Sequence, residues 1–152
     1  MTPHFTREEF EFSNTAARRG INNRLPDGLL PAAMATLQMM ERIRAALSEA
    51  AGKPVPIRLS SGYRCQALNQ AIGGSRYSDH ILAAATDWTA PAFGTPFEVC
   101  QFLAPRADQL GIGQLIHEFG TWVHTSTRHP SRPVNRIITI NTAGTHVGIV
   151  RA

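Results

Sequence analysis

Apolar residues recur along this chain at two different spacings. From Leu29 to Ala50 they fall at Leu30, Met34, Leu37, Met40 and Leu47, close to the repeat that lines one face of a helix. The longest amphipathic helix is therefore expected there, with its methionines packed in the core and Gly52 closing it. Upstream, Thr6-Arg7-Glu8-Glu9 reads as a capping box, so a first helix should begin there, turn Phe10 inward and end at Gly20. Asn22 to Gly28, with Pro26 and Asp27, reads as a loop. Past Gly52 the spacing shortens. Pro54 to Ser60 predicts a short edge-type strand, because two prolines cannot donate to a ladder on both sides. Ser61-Gly62-Tyr63-Arg64 predicts a turn, Cys65 to Ile72 a short helix stopped by Gly73-Gly74, and Ala85 to Trp88 a strand. Thr95-Pro96-Phe97-Glu98 is a second capping box with proline at the first helical position, and Pro105 should kink or end that helix. Gln114–Glu118, Trp122–Ser126 and Arg136–Asn141 follow as strands, the last before a turn at Ala143-Gly144. Helices dominate residues 1–52 and short strands residues 53–152. The pattern predicts one α+β domain with helices packed on a small antiparallel sheet.

Composition narrows the class without choosing a function. A chain of 152 residues can bury one sizeable core, and 43% hydrophobic with 17% charged residues is an ordinary globular balance. No apolar run approaches a membrane span and Met1-Thr2-Pro3-His4 has no signal-peptide pattern, so synthesis in the cytoplasm and no membrane partner are expected. Cys65 and Cys100 are too few for a disulfide framework and should be buried free thiols. The net charge of +4 is compatible with an anionic partner. However, the basic residues are scattered in pairs such as Arg18-Arg19 and Arg128 with Arg132. No recognition helix or aromatic platform accompanies them, so no nucleic-acid partner is expected.

The candidate chemistry begins at Ser78-Asp79-His80-Ile81-Leu82-Ala83-Ala84-Ala85-Thr86-Asp87. A continuous helix would separate His80 from Asp87 by roughly 10 Å, and one extended strand by about 23 Å. Zinc ligands sit only about 2 Å from their ion. The chain must double back for both to reach one metal, and the small run Ala83-Ala84-Ala85 permits it. Downstream, a hairpin of Gln114–Glu118 and Trp122–Ser126 with Phe119-Gly120-Thr121 as its loop sets Glu118 opposite Trp122 and Ile116 opposite His124. Glu118, Trp122, His124 and Ser126 then share one face, and His117 takes the other. Parity thus selects His124 over His117 and places Glu118 within diagonal reach. Three N/O ligands, His80, Asp87 and His124, with a position left for water, suit catalytic zinc, and Glu118 beside them suits a general base. The alternative is a satisfied strand histidine and a carboxylate paired with a surface arginine.

These residues also carry a resemblance. Ser78-x-His80 followed by Ala83, Ala85 and Asp87 resembles the SxHxxGxAxD motif of zinc D-alanyl-D-alanine carboxypeptidases and related phage peptidoglycan endopeptidases. Glu118 with Trp122-Val123-His124 resembles their carboxylate and W/H-x-H strand, and the same fold occurs in the hedgehog signalling domain. Ser61-Gly62-Tyr63-Arg64, Asn69 and Gly73-Gly74 are similar to the family's upstream SGYR…N…GG segment, and Thr6 to Gly20 resembles the N-terminal helix of small phage members.

The resemblance implies a hedgehog/DD-peptidase-like fold and a monomeric zinc peptidase acting on peptidoglycan stem peptides after release or delivery to the cell wall. It implies that His80, Asp87 and His124 bind Zn2+ and that Glu118 is the catalytic base. Arg64 would hold a substrate carboxylate or carbonyl, a role its planar fork suits. Ser78 would orient substrate or ligand, and Trp122 would pack against the site. The other reading it leaves is a non-catalytic zinc-binding or phage structural module that keeps the fold. Two departures stand out. Ala83 replaces the motif glycine, so strain or rearrangement is expected where relatives tolerate positive φ. Thr121 stands three residues before the last histidine, where part of the family has its base, so the assignment falls on Glu118, as in the hedgehog-like arrangement.

Overall fold

In the computed structural model, which describes residues 1–152, helix α3 (Leu30–Ala51) forms the spine of the core. It follows a short 3₁₀ turn at Asp27–Leu29, has proline in its first turn, and stops at Gly52. The φ of +66° at Gly52 is the left-handed conformation that glycine adopts without penalty. Its buried face is Ala33, Thr36, Leu37, Met39, Met40, Ile43 and Leu47, so Met39 joins the core where the spacing had favoured Met34. All of these except Thr36 pack with Trp88, Val99, Leu103, Leu115 and Val123 in one hydrophobic cluster. Each large apolar side chain buried there contributes about 1.5–3 kcal/mol.

The N-terminal helix is two helices. The capping box at Thr6 forms as expected, Thr6 Oγ1 accepting from Glu9 N at 3.1 Å and Glu9 Oε2 from Thr6 N at 2.8 Å. Helix α1 (Arg7–Glu11) then stops, and Ser13 caps α2 (Asn14–Arg19) by accepting from Ala16 N at 3.2 Å. A serine that can satisfy a helix's first N–H groups competes with continuation of the preceding helix, and here it wins. Gly20 ends α2 in the left-handed conformation.

The remaining elements are β1 (Arg58–Ser61), α4 (Gln66–Ala71), β2 (Ala85–Thr89), α5 (Pro96–Leu103), α6 (Ala107–Leu110), β3 (Gln114–Glu118), β4 (Trp122–Ser126), β5 (Ile137–Asn141) and β6 (Gly144–Val147). The sheet order is β1-β2-β4-β3-β5-β6, which leaves β1 on an edge. The hairpin register is the one parity required, with Glu118 opposite Trp122 and Ile116 opposite His124. Its loop turns through left-handed Phe119 and Gly120, at φ +53° and +64°.

Two features depart from the expected antiparallel sheet. Strand β5 pairs with β3 in parallel, and β6 adds a further edge strand after the Ala143-Gly144 turn. The chain leaving β4 crosses to the free side of β3 and runs along it in the same direction. Helix α5 forms its capping box at Thr95 and gives way at Ala104–Arg106 to a 3₁₀ turn containing Pro105. Both cysteines are free thiols, Cys100 buried and Cys65 half-buried. No helix is long and apolar enough to cross a membrane.

The turn after β1 is held against α1 by a glycine. Tyr63 N donates to Phe10 O at 2.8 Å, and a Cβ added at Gly62 would collide with the Phe10 carbonyl and ring. Gly62→Ala should therefore lose about 1–3 kcal/mol of stability, the usual cost of forced overpacking, as a lower denaturant midpoint with an unchanged slope.

Candidate metal centre

Between α4 and β2 the chain doubles back through successive tight turns. Ser78 Oγ accepts from His80 N at 3.2 Å, while Leu82 N and Ala84 N both donate to Asp79 O, at 3.1 and 3.0 Å. Ala83 completes the reversal at φ +56°, the left-handed conformation that the family's glycine would occupy without strain. The alanine is held there rather than rearranged. Its side chain is fully buried in the core, and its carbonyl accepts from Thr36 Oγ1 of α3 at 2.8 Å.

This reversal brings His80 to the middle of β2. His80 Nε2 lies 3.2 Å from Asp87 Oδ2, and Asp87 is paired in register with His124 of β4. His124 Nδ1 is 2.8 Å from Asp87 Oδ1 and 3.8 Å from Glu118 Oε1. The ligand atoms of His80, Asp87 and His124 all lie within 4.8 Å of one another, a cluster able to chelate a metal ion. His117 faces away. It is buried beside Phe97 on the other side of the sheet, with Nδ1 bonded to Val150 O at 3.0 Å.

The tautomer of His80 suits a cation. His80 Nδ1 lies 2.7 Å from the Gly62 carbonyl, which can only accept, so the proton sits on Nδ1 and Nε2 presents a lone pair. Nε2 is buried, has no hydrogen-bond partner, and faces a carboxylate. Burial drives the His80 pKa down, against the pull of Asp87, which keeps the ring neutral. Burial also pushes Asp87 upward, but attraction to a proton held on the histidines beside it outweighs that and holds its carboxyl far below the usual range. At His124 burial lowers the pKa, and the bond and charge of Asp87, then Glu118, more than reverse that. A neutral imidazole nitrogen and an ionised carboxylate oxygen facing each other repel unless a proton or a metal ion lies between them. Nitrogen and oxygen donors without cysteine match the donor set of catalytic zinc sites.

Around the cluster lies a cleft of about 1110 Å³, lined by Arg64, Ser78, Glu118, Trp122 and Arg128 among others. Burial raises the Glu118 pKa, opposed mainly by His124. Arg64 Nη1 donates to Asn69 Oδ1 at 3.0 Å, and Asn69 Nδ2 donates to Ser75 O at 2.8 Å. Arg64 Nε is buried without a partner, and burial lowers the guanidinium pKa against the pull of Asp87 and Glu118. Ser78 spends its oxygen on the His80 N–H. Trp122 stacks near Phe119 at 5.7 Å between ring centres, and its indole N–H is buried and unpaired.

Two participants escaped the sequence. Asp79 Oδ2 accepts from Ser126 Oγ at 2.7 Å and Oδ1 from Arg128 Nη1 at 2.8 Å, tying the loop before His80 to the end of β4. Asp79 occupies an open position of the motif, and Arg128 read as one more scattered cation. Only the sheet order brings them together.

An α+β fold whose adjacent strands and doubled-back loop gather two histidines and a carboxylate beside a half-buried glutamate is that of a metallopeptidase. The model of the family described as peptidase M15 matches residues 3–126, and the chain belongs to that family of zinc DD-peptidase-like domains. The match ends with β4, so it contains every residue of the cluster. No curated protein matches the chain.

Left-handed alanine costs roughly 1–2 kcal/mol relative to glycine, partly offset by the lower entropy of the unfolded chain. Ala83→Gly should leave stability unchanged or raise it by up to about 1 kcal/mol. Ala83→Val should lower it by more than about 2 kcal/mol, since a branched side chain adds volume in the core to the backbone strain. Thermal or denaturant melts of the variants rank them directly.

Proposed function

We propose that the protein hydrolyses peptide bonds in the stem peptide of bacterial peptidoglycan, with His80, Asp87 and His124 holding Zn2+ and Glu118 moving the proton. The observation that carries this reading is the buried, unpaired Nε2 of His80. Its lone pair is fixed by the Gly62 carbonyl and aimed at Asp87, with Glu118 on the same face of the sheet. Bound there, zinc supplies Lewis acidity toward a carbonyl and makes water a usable nucleophile near neutral pH.

The protein groups do the rest. Glu118 takes a proton from the attacking water and returns it to the leaving amine, and its burial makes it a stronger base than an exposed glutamate. Arg64 receives the substrate's carboxylate or carbonyl. One of its terminal nitrogens is anchored on Asn69, so the guanidinium reaches the cleft already oriented. Ser78 contributes by fixing the His80 backbone, and Trp122 walls the cleft. The bond cut is of carboxypeptidase or endopeptidase type. The likeness of the N-terminal helical segment to small phage members supports a phage or prophage setting, with the wall reached after release or delivery.

Glu118→Gln should retain equimolar zinc by elemental analysis and lose about 10²–10⁴-fold in kcat on soluble muropeptides, the usual contribution of a general base. Zinc retained with activity unchanged would remove Glu118 from the chemistry, and no hydrolysis by the zinc-loaded wild type would remove the peptidase reading. Asp87→Ala should lose the metal itself. Arg64→Lys should raise KM by about tenfold or more with kcat little changed, because an ammonium cannot reproduce the fork.

A further inference from the structure

Asn23 lies in the segment between α2 and α3, well before any strand in the chain and outside the cleft lining. It is buried at 7% exposure, and its amide makes three hydrogen bonds. Nδ2 donates to Glu11 O at 2.8 Å and to Tyr63 O at 2.9 Å, while Oδ1 accepts from Cys65 N at 2.7 Å. All three partners are backbone groups with fixed roles, two carbonyls and one N–H, so only one orientation of the amide satisfies them.

Tyr63 and Cys65 are the residues on either side of Arg64. The N–H of Arg64 itself donates to His80 O at 3.1 Å. Three consecutive backbone groups around the arginine are therefore held, two of them by a single side chain. Cys65 is also the cap of α4, the helix that carries Asn69 to the Arg64 guanidinium. Asn23 thus fixes both the backbone from which the arginine projects and the start of the helix that steers its tip. None of its bonds touches His80, Asp87, His124 or Glu118.

We propose that Asn23 is a positioning residue for substrate binding, acting through Arg64; this rests on the reading of Arg64 as the group that receives the substrate. A long flexible side chain set on a loosened backbone spreads over many rotamers, and the substrate must then select the productive one. Loss of Asn23 therefore weakens binding and leaves metal uptake alone.

The test uses the full chain loaded with zinc, and soluble muropeptides as the probe, comparing wild type, Asn23→Ala, Arg64→Ala and the double variant by calorimetry and kinetics. Asn23→Ala should bind about tenfold more weakly and raise KM to match, with kcat within about threefold and zinc stoichiometry unchanged. In the Arg64→Ala background the same substitution should add less than about twofold, because coupled residues are not additive. Leu47→Ala, a core truncation at the far end of α3, is the control for lost stability and should leave affinity unchanged. Asn23→Asp keeps the size and the acceptor for Cys65 N–H but sets a carboxylate oxygen against the two carbonyls. It should weaken binding in the same direction, and it decides the matter if the alanine variant does not fold. Wild-type affinity in the folded Asn23 variant, an equal loss in the Arg64→Ala background, or an equal loss in Leu47→Ala would overturn the proposal. A wild type that binds muropeptides with this coupling but never cleaves them overturns the peptidase reading instead.

Discussion

The hydrogen bond from His80 Nδ1 to the Gly62 carbonyl decides what the centre can hold. It fixes the imidazole tautomer, and its neighbour from Arg64 N to His80 O locks the two segments together. Because the Gly62 carbonyl can only accept, the other ring nitrogen must present its lone pair inward, where Asp87 already directs an ionised oxygen. Water cannot relieve the opposition, since His80 Nε2 is sealed from solvent. His124 compensates the charge of Asp87 through its other oxygen, at 2.8 Å, but leaves the oxygen that faces His80 unpaired by any proton. A cation bridging both donors would relieve that opposition, and the turn at Gly62 folded against α1 is what sets it up.

The rest of the architecture keeps the two faces of the sheet distinct. Alternation along β2 and β4 sends Asp87 and His124 to the cleft and Thr86, Trp88, Val123 and Thr125 to the core. On the core side Trp88 Nε1 donates to Thr125 Oγ1 at 3.0 Å, and Thr86 and Thr125 share a hydroxyl contact at 3.2 Å. Buried polar groups that are fully paired on the core face fix the strand register. A slip of one residue would bury Asp87 in the core and expose Trp88 to the cleft. Thr36 performs the matching service from α3, bonding the carbonyl of left-handed Ala83 and so holding the loop that delivers His80.

What the sequence disclosed follows the range of the interactions. The hairpin was legible because its register depends on a three-residue loop and strict alternation, both local. The capping boxes at Thr6 and Thr95 were legible for the same reason. The reversal between His80 and Asp87 could be read only as a requirement, since its geometry depends on a left-handed alanine held by a threonine 47 positions away. The parallel pairing of β5 with β3 and the added β6 were not visible, because a strand's partner is settled by where a crossover lands. Ser13 was in plain view as a cap, but a run of helix-compatible residues on both sides hid the break. Asn23 sat in an unremarkable loop, and only its bond to Tyr63, 40 positions on, gives it meaning.

The choice of arginine at position 64 follows from the same electrostatics. The Arg64 side chain is half-buried, and burial lowers its pKa, yet the unperturbed value is so high that it stays charged. A lysine in that place starts about two units or more lower and deprotonates far more readily when desolvated. Asp87 and Glu118 pull in the opposite direction on Arg64, but a divalent ion at the histidine cluster would neutralise much of their field. A cation bound there would therefore leave the Arg64 charge with less compensation inside the cleft.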